Sequence, residues 1–158
     1  MIRRATQIGA LLALSGIAPA RAETVGKVGV DWVGNDIMIE AVADPGLPAV
    51  TCYVTYFDRS VFDRLQNGNW FENPSNSALS CVATAPVSAQ DLAALPDEDT
   101  IFSERQSLVF KSLTVSRVID RTRNVLVYLA HASELTEGSA KMSVSVVPIS
   151  GAVPPPTE

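Results

Sequence analysis

The sequence of 158 residues contains little of what several functional classes require. It has one histidine and two cysteines, which disfavours a zinc site with its three or four soft ligands. No P-loop, dinucleotide-binding glycine motif or G-x-S-x-G turn occurs. Basic residues are scarce too, with 12 Lys and Arg against 17 Asp and Glu and a net charge of -5. This acidity argues against nucleic acid, which needs a basic surface, and against an anionic membrane surface.

A long apolar run is also missing, because the N-terminal run from Ile8 to Ala18 is shorter than the roughly 20 residues of a membrane-spanning helix. Arg3 and Arg4 precede the run and small residues follow it. This layout predicts an ordinary secretory signal peptide, in preference to a membrane anchor or a twin-arginine signal. Cleavage fits after Ala20 or after Ala22. We prefer the second, which leaves a polar start and directs the protein to the periplasm.

Removal of residues 1–22 would leave a markedly more acidic protein of 136 residues. Three arginines are lost with the signal, so the net charge changes from -5 to -8. This length predicts a single domain, which we place at residues 23–150. The proline-rich residues 151–158 predict a disordered tail. We expect no cofactor, no nucleic acid partner and no membrane anchor after cleavage. The expected partner is a periplasmic protein or a small ligand.

The two cysteines, Cys52 and Cys81, lie in strand-like segments. An even number of cysteines in an exported chain predicts a disulfide. A structural bridge is favoured over a redox couple, because reactive pairs are typically Cys-x-x-Cys at the start of a helix. We expect the two Cα atoms to lie about 4.4–6.8 Å apart.

Alternating apolar residues predict a mainly β domain of about six strands. In the run at residues 37–41, Ile37, Ile39 and Ala41 share one face. Turn signals recur about every 8–12 residues, which favours an antiparallel sheet sandwich or a barrel-like domain.

Other local patterns add a hairpin and one or two short helices to this scheme. The runs Ser107–Ile119 and Asn124–His131 predict a β-hairpin, with a bulge where the first run changes parity. Ser60 and Ser88 each open a stretch that resembles a capping box, which predicts short helices. The three carboxylates of Asp97–Asp99 predict a solvated acidic loop, because they lack the spacing of a calcium loop.

A set of short motifs runs in order through nearly the whole chain after the signal. They include Val25–Val28, Ile39–Ala41, Asp44–Pro45, Val50–Val54, Ser80–Cys81, Ser107–Leu113 with Arg117 and Asp120, Tyr128–Ala130, Glu137–Ser139 and Val147–Pro148. Together they resemble the CreA family of bacterial periplasmic proteins, and both cysteines match the family's cysteine positions. The resemblance implies an exported protein and implies no reaction. The chain departs from the family before the second cysteine, where Gly68 is the one glycine in a usually glycine-rich stretch, so no ligand role is carried over there.

Four residues are candidates for a ligand or partner contact. Lys111 and Arg117 interrupt an apolar strand and could meet an anionic group, although a charged, solvated sheet face is the favoured interpretation. Trp70 and Phe71 lie in a polar loop, where they could form a contact site or fold back over the core, and the second is favoured. His131, at the end of an apolar strand, is a poor candidate for a catalytic triad.

Two classes of function therefore remain open, and we predict no catalytic or metal-binding residues. The favoured hypothesis is a non-enzymatic binding or interaction module. The alternative is a small periplasmic enzyme of the hydrolase type, with a site built from residues that form no recognisable motif. The shape of the surface distinguishes the two hypotheses, since an enzyme needs a pocket of titratable groups and an interaction module needs an exposed apolar patch.

Overall fold

Two antiparallel sheets make up the fold in a computed structural model, which describes residues 20–32, 34–67, 77–105, 112–132 and 142–150. In these ranges the strands are β1 (Ala22–Gly29), β2 (Asp36–Asp44), β3 (Leu47–Asp58), β4 (Ala78–Ala83), β5 (Glu98–Arg105), β6 (Ser112–Asp120), β7 (Val125–Ala132) and β8 (Ser143–Pro148), and the helices are α1 (Val61–Asn67) and α2 (Ala89–Leu92). The predicted mainly β class with short helices is confirmed. No helix in the described ranges is long and apolar enough to cross a membrane.

Each sheet contains four strands in sequence order, β1-β2-β3-β4 and β5-β6-β7-β8. Buried side chains from both sheets form one core, among them Val42 and Val54 from the first sheet and Val115 and Leu126 from the second. The two sheets therefore pack face to face, as the sequence predicted. Along one side, the backbone N–H of Cys81 on β4 donates to Ser145 Oγ on β8 at 2.8 Å, which links the two sheets.

The connections between strands separate the molecule into two ends. The tight turns at residues 45–46 and 121–124 lie at what we call the closed end, where Asp44 contacts Arg117 across the sheets. The segment with α2 also lies there and buries Leu92 against the core. Because all strand pairs are antiparallel, the last residues of β1, β3, β5 and β7 and the first residues of β2, β4, β6 and β8 lie at the opposite end, which we call the loop end.

The predicted hairpin and both predicted helices are present. Strands β6 and β7 pair in register from Leu113 to Asp120, and Asn124 closes their turn with a φ of 55°, a conformation that asparagine tolerates. Helix α2 begins after Ser88 with a reciprocal capping box to Asp91. At α1, Ser60 Oγ accepts a hydrogen bond from the backbone N–H of Asp63 at 3.2 Å.

The prediction of a solvated acidic loop at residues 97–99 was wrong in its loop assignment for Glu98 and Asp99, although all three residues are exposed. Glu98 begins β5, one of two strands that the sequence pattern missed, the other being β1. Asp97 pairs with Arg121 at 2.6 Å, and Asp99 lies 3.4 Å from Arg117. These carboxylates are therefore partnered by arginines of the neighbouring hairpin, which lets a polar segment join the sheet edge.

On β2, the face that points into the core differs from the apolar face of the sequence pattern. Ile37 and Ile39 do share a face, but both are half-buried on the outer side. The inward face carries Glu40, Val42 and Asp44, all of them buried. Two carboxylates thus face the interior of the sandwich, that of Asp44 at the closed end and that of Glu40 at the middle of β2.

Candidate functional site

The two cysteines form a disulfide between paired strands. Cys52 on β3 lies directly opposite Cys81 on β4, and their Sγ atoms are bonded. The Cα atoms are 3.9 Å apart, which is closer than the expected range. The bridge encloses the chain segment that contains α1. In the described ranges, no group of three or more metal-ligating side chains occurs.

Arg117 does not lie on a surface. We expected it on a solvated or ligand-facing side of the sheet, but its side chain is fully buried at the closed end. Its Nη1 donates to both carboxylate oxygens of Asp44, at 2.6 and 2.8 Å. Tyr128 donates its hydroxyl to the same carboxylate at 2.8 Å. Arg117 is therefore a cross-sheet structural group, and an anionic ligand is not what neutralises it.

Close packing surrounds this buried ion pair. Asp44 Oδ1 also accepts the backbone N–H of Gly46 at 2.9 Å, which shapes the β2–β3 turn. A Cβ at Gly46 would lie 3.0 Å from both Arg117 Nη1 and Leu95 Cδ2, so any other residue here would have to displace these two side chains. Burial, strengthened by the negative charge of Asp44, raises the pKa of Tyr128. The hydroxyl stays protonated and acts as a donor.

The other three contact candidates, Lys111, Trp70 and Phe71, lie outside the described residues and stay predictions. His131 lies on β7 with its Nε2 3.3 Å from Ser116 Oγ. Ser116 is buried, with 8% of its surface exposed, so its hydroxyl is not open to a substrate. The pair fits a structural contact on the outer face of the sheet.

Helix α1 presents its apolar side to solvent, the reverse of an ordinary surface helix. Val61, Phe62 and Leu65 lie within an arc of about 100° on the helix, and they are 67%, 76% and 61% exposed. The opposite side carries Asp63 and Arg64, whose side chains are only 17% and 29% exposed. Helix α1 thus exposes its apolar side, whereas the side that carries Asp63 and Arg64 is less exposed.

Ion pairs hold the charged side of α1 inward. Arg59 Nη1 lies 3.3 Å from Asp63 Oδ2, and Arg64 Nη2 lies 3.3 Å from Asp58 Oδ1. Arg64 Nε also donates to the backbone carbonyl of Arg59 at 3.1 Å. Because these contacts fix two successive charged side chains, they also fix the direction in which the apolar side chains point.

A second exposed aromatic residue lies beside this helix. Trp32, in the β1–β2 connection, is 95% exposed. Its turn is organised by Asn35, which donates through its side chain to Asp31 at 2.7 Å and through its backbone N–H to Asp31 at 3.1 Å. The side-chain oxygen of Asn35 accepts the backbone N–H of Ser60 at 3.0 Å. Asn35 therefore joins the turn with Trp32 to the start of α1.

We call Trp32, Val61, Phe62 and Leu65 the tip surface. It is an exposed apolar area at the loop end, supported by defined hydrogen bonds and ion pairs. Exposed apolar patches of this size mark interaction sites, and tryptophan and phenylalanine are enriched where such sites bind. The sequence analysis missed all four residues. A signal did exist in the helical spacing of the three on α1, but that spacing ordinarily predicts a buried face.

In comparisons with known proteins, the family model and the relatives described below carry the same name. The family model described as "CreA protein" matches residues 25–152. "Protein CreA" of Escherichia coli strain K12 is 37% identical over 137 residues, covering 82% of this chain and 85% of the relative. The proteins of the same name from the strains CFT073 and O157:H7 show the same identity and coverage. No solved structure matches the chain.

Proposed function

The chain belongs to the CreA family, and for this member we propose an exported binding module that works in the periplasm and contacts its partner through the tip surface. The tip surface is the observation that carries the proposal. Its four side chains are at least 61% exposed, whereas apolar residues of that size are ordinarily buried in the core. A binding role gives a physical reason for leaving them in water.

Export is supported by two independent features. The N-terminal residues have the charged, apolar and small-residue parts of a signal peptide. The disulfide between Cys52 and Cys81 belongs to an oxidising compartment. Cell fractionation tests the location, and N-terminal sequencing of the exported protein is expected to begin at Glu23. A protein recovered from the cytoplasm at full length would contradict export.

The supporting network argues that the tip surface is a specific site. Asn35, Asp31 and Ser60 hold the turn, and ion pairs hold the helix. A surface whose backbone is held in place loses less conformational entropy on binding than a mobile one. The protruding shape also favours a large partner over a small ligand, because small ligands bind in recesses.

Photo-crosslinking in living cells tests the proposal. Benzoylphenylalanine at position 61 leaves Trp32 and Phe62 in place, and the same group at position 123 serves as the control. Arg123 is 75% exposed and lies at the closed end. We expect a crosslinked product from position 61 and none from position 123. No product at position 61, or equal products at both positions, would refute the proposed contact surface.

A further inference from the structure

The shape of the tip surface limits what can cover it. Trp32 is 95% exposed and Phe62 is 76% exposed, so both side chains protrude instead of lining a groove. Protruding aromatic side chains need a partner surface into which they can insert. The combination of tryptophan, phenylalanine and aliphatic residues is typical of groups that settle at the boundary between water and hydrocarbon.

Three ion pairs among the described residues lie next to the tip surface, and the carboxylate of Asp31, beside Trp32, accepts hydrogen bonds from Asn35. Lys27 lies 2.9 Å from Asp36, and Arg59 and Arg64 each pair with a carboxylate at 3.3 Å. A surface that binds anionic lipids instead presents a cluster of basic residues. The chain as a whole carries a net charge of -5, which opposes an anionic surface further. Paired charges complement zwitterionic headgroups, which carry both signs.

A second copy of the chain fits this surface less well. The chain carries 17 Asp and Glu against 12 Lys and Arg, so a dimer would bring together two acidic proteins. The charge therefore disfavours a stable dimer through the tip surface.

We propose that the tip surface docks on a zwitterionic phospholipid surface, with Trp32, Phe62 and Leu65 entering the headgroup boundary. This inference rests on the proposed function, because it names the partner of the same contact surface. Docking of this kind is shallow and reversible, because a few side chains enter and no segment spans the bilayer. We expect it to respond little to salt, because the side chains of Lys27, Arg59 and Arg64 are already paired with carboxylates.

Tryptophan fluorescence with phosphatidylcholine vesicles tests the inference. Trp32 and Trp70 are the two tryptophans of the chain, so Trp70→Phe leaves Trp32 as the one reporter. We expect its emission to shift to shorter wavelength when vesicles are added, with no change in high salt and no gain from added phosphatidylglycerol. Co-flotation of the unsubstituted protein with the same vesicles gives a second measurement that does not depend on the Trp70→Phe variant.

Phe62→Asp combined with Leu65→Asp is expected to lower the vesicle-bound fraction by roughly tenfold or more, because a carboxylate resists entry into the boundary. Val144→Asp is the matched control, since Val144 is 58% exposed on β8 of the second sheet, and we expect it to bind like the parent. Equal loss in both variants would overturn the inference.

The remaining outcomes separate this inference from the proposed function. Absence of vesicle binding together with a protein crosslinked at position 61 overturns the lipid inference and leaves the contact surface intact. If the protein self-associates and Phe62→Asp abolishes this, the lipid inference is also overturned. The contact surface then stands, with a second copy of the chain as its partner. Binding that requires phosphatidylglycerol and disappears in salt also overturns the lipid inference. If neither vesicle binding nor a crosslink is found, both proposals fail.

Discussion

The two ends of the sandwich place polar and apolar groups in opposite ways. At the closed end, Arg117 and Asp44 are buried with Tyr128 between the sheets, while the segment with α2 covers them with Leu92 and Leu95. At the loop end, the charged side of α1 faces the protein and its apolar side faces water. Both ends therefore use ion pairs, but for different purposes.

The difference shows that ion pairs can stabilise the fold at the closed end, whereas at the loop end they orient an exposed apolar surface. A buried ion pair adds little net free energy compared with apolar packing, yet losing one partner is costly because the other charge stays buried. A partly exposed pair adds little in either direction. The closed end should thus respond strongly to single substitutions, and the loop end should tolerate them while losing its binding. Four predictions test this contrast.

The largest effect is expected from Arg117→Met. The substitution leaves the carboxylate of Asp44, which has no exposed surface, buried without its cation. Loss of one member of a buried pair costs about 3–5 kcal/mol. Urea denaturation is expected to show a fall in the free energy of unfolding of this size.

Two further variants sharpen that measurement. Combining Arg117→Met with Asp44→Asn removes both charges and should recover part of the loss, because no uncompensated charge stays buried. Arg123→Ala removes an exposed arginine that pairs with Asp120, and it should leave the unfolding midpoint unchanged. Equal effects of Arg117→Met and Arg123→Ala would contradict the structural role of the closed end.

The next effect concerns the disulfide, which joins the strands on either side of the segment that contains α1. Replacing Cys52 and Cys81 by alanine frees a loop with a sequence separation of 29 residues. The chain-entropy account predicts a loss of about 3–4 kcal/mol. Denaturation of the variant and of the reduced parent should give matching midpoints. A variant as stable as the oxidised parent would show that the bridge does not stabilise the protein by restricting the conformations of the unfolded chain.

The sequence predicted the fold well where alternation was clear. Strands β3, β6, β7 and β8 have β-branched or aromatic residues at regular spacing, and each appears where it was expected. Strand β5 was missed because it begins with acidic residues. Asp99 on the strand lies 3.4 Å from Arg117, and Asp97 just before it pairs with Arg121. Such partners cannot be seen in a local pattern.

The candidate site could be predicted much less well. The burial of Arg117 depends on Asp44, which lies 73 residues away in the chain, so no local pattern shows which side of the sheet it faces. The spacing of Val61, Phe62 and Leu65 did indicate an amphipathic helix. The orientation of that helix follows from the ion pairs of Arg59 with Asp63 and of Arg64 with Asp58, and orientation decides whether the apolar side is core or contact surface.

A smaller effect is expected at Glu104, which lies near the loop end of β5. Burial raises the pKa of Glu104 above its ordinary 4.5, and the nearby carboxylate of Glu40 raises it further. Glu40 itself is buried and accepts the hydroxyl of Tyr56 at 2.8 Å. The two facing carboxylates make the ionised form of Glu104 unfavourable in the folded protein.

The pH dependence follows from that direction. A carboxyl group with a raised pKa in the folded state stabilises the protein below pH 4.5, and this contribution is lost as the pH rises through the folded value. Glu104→Gln keeps the side chain neutral, so its unfolding midpoint should exceed that of the parent at pH 7 and match it at pH 4. Thermal melts across this range measure the difference. A difference that does not vary with pH would contradict the explanation.

The smallest effect on stability should come from the largest removal of apolar surface. Trp32→Ala combined with Phe62→Ala deletes two aromatic side chains, which in a core would cost about 3–5 kcal/mol each. At the tip surface both are already in water, with 95% and 76% exposed, so we expect a change within about 0.5 kcal/mol. Urea denaturation measures this, with Phe102→Ala as the control, because Phe102 is 6% exposed in the core. A large loss in the double variant would mean that these residues support the fold, and the contrast between the two ends would fail.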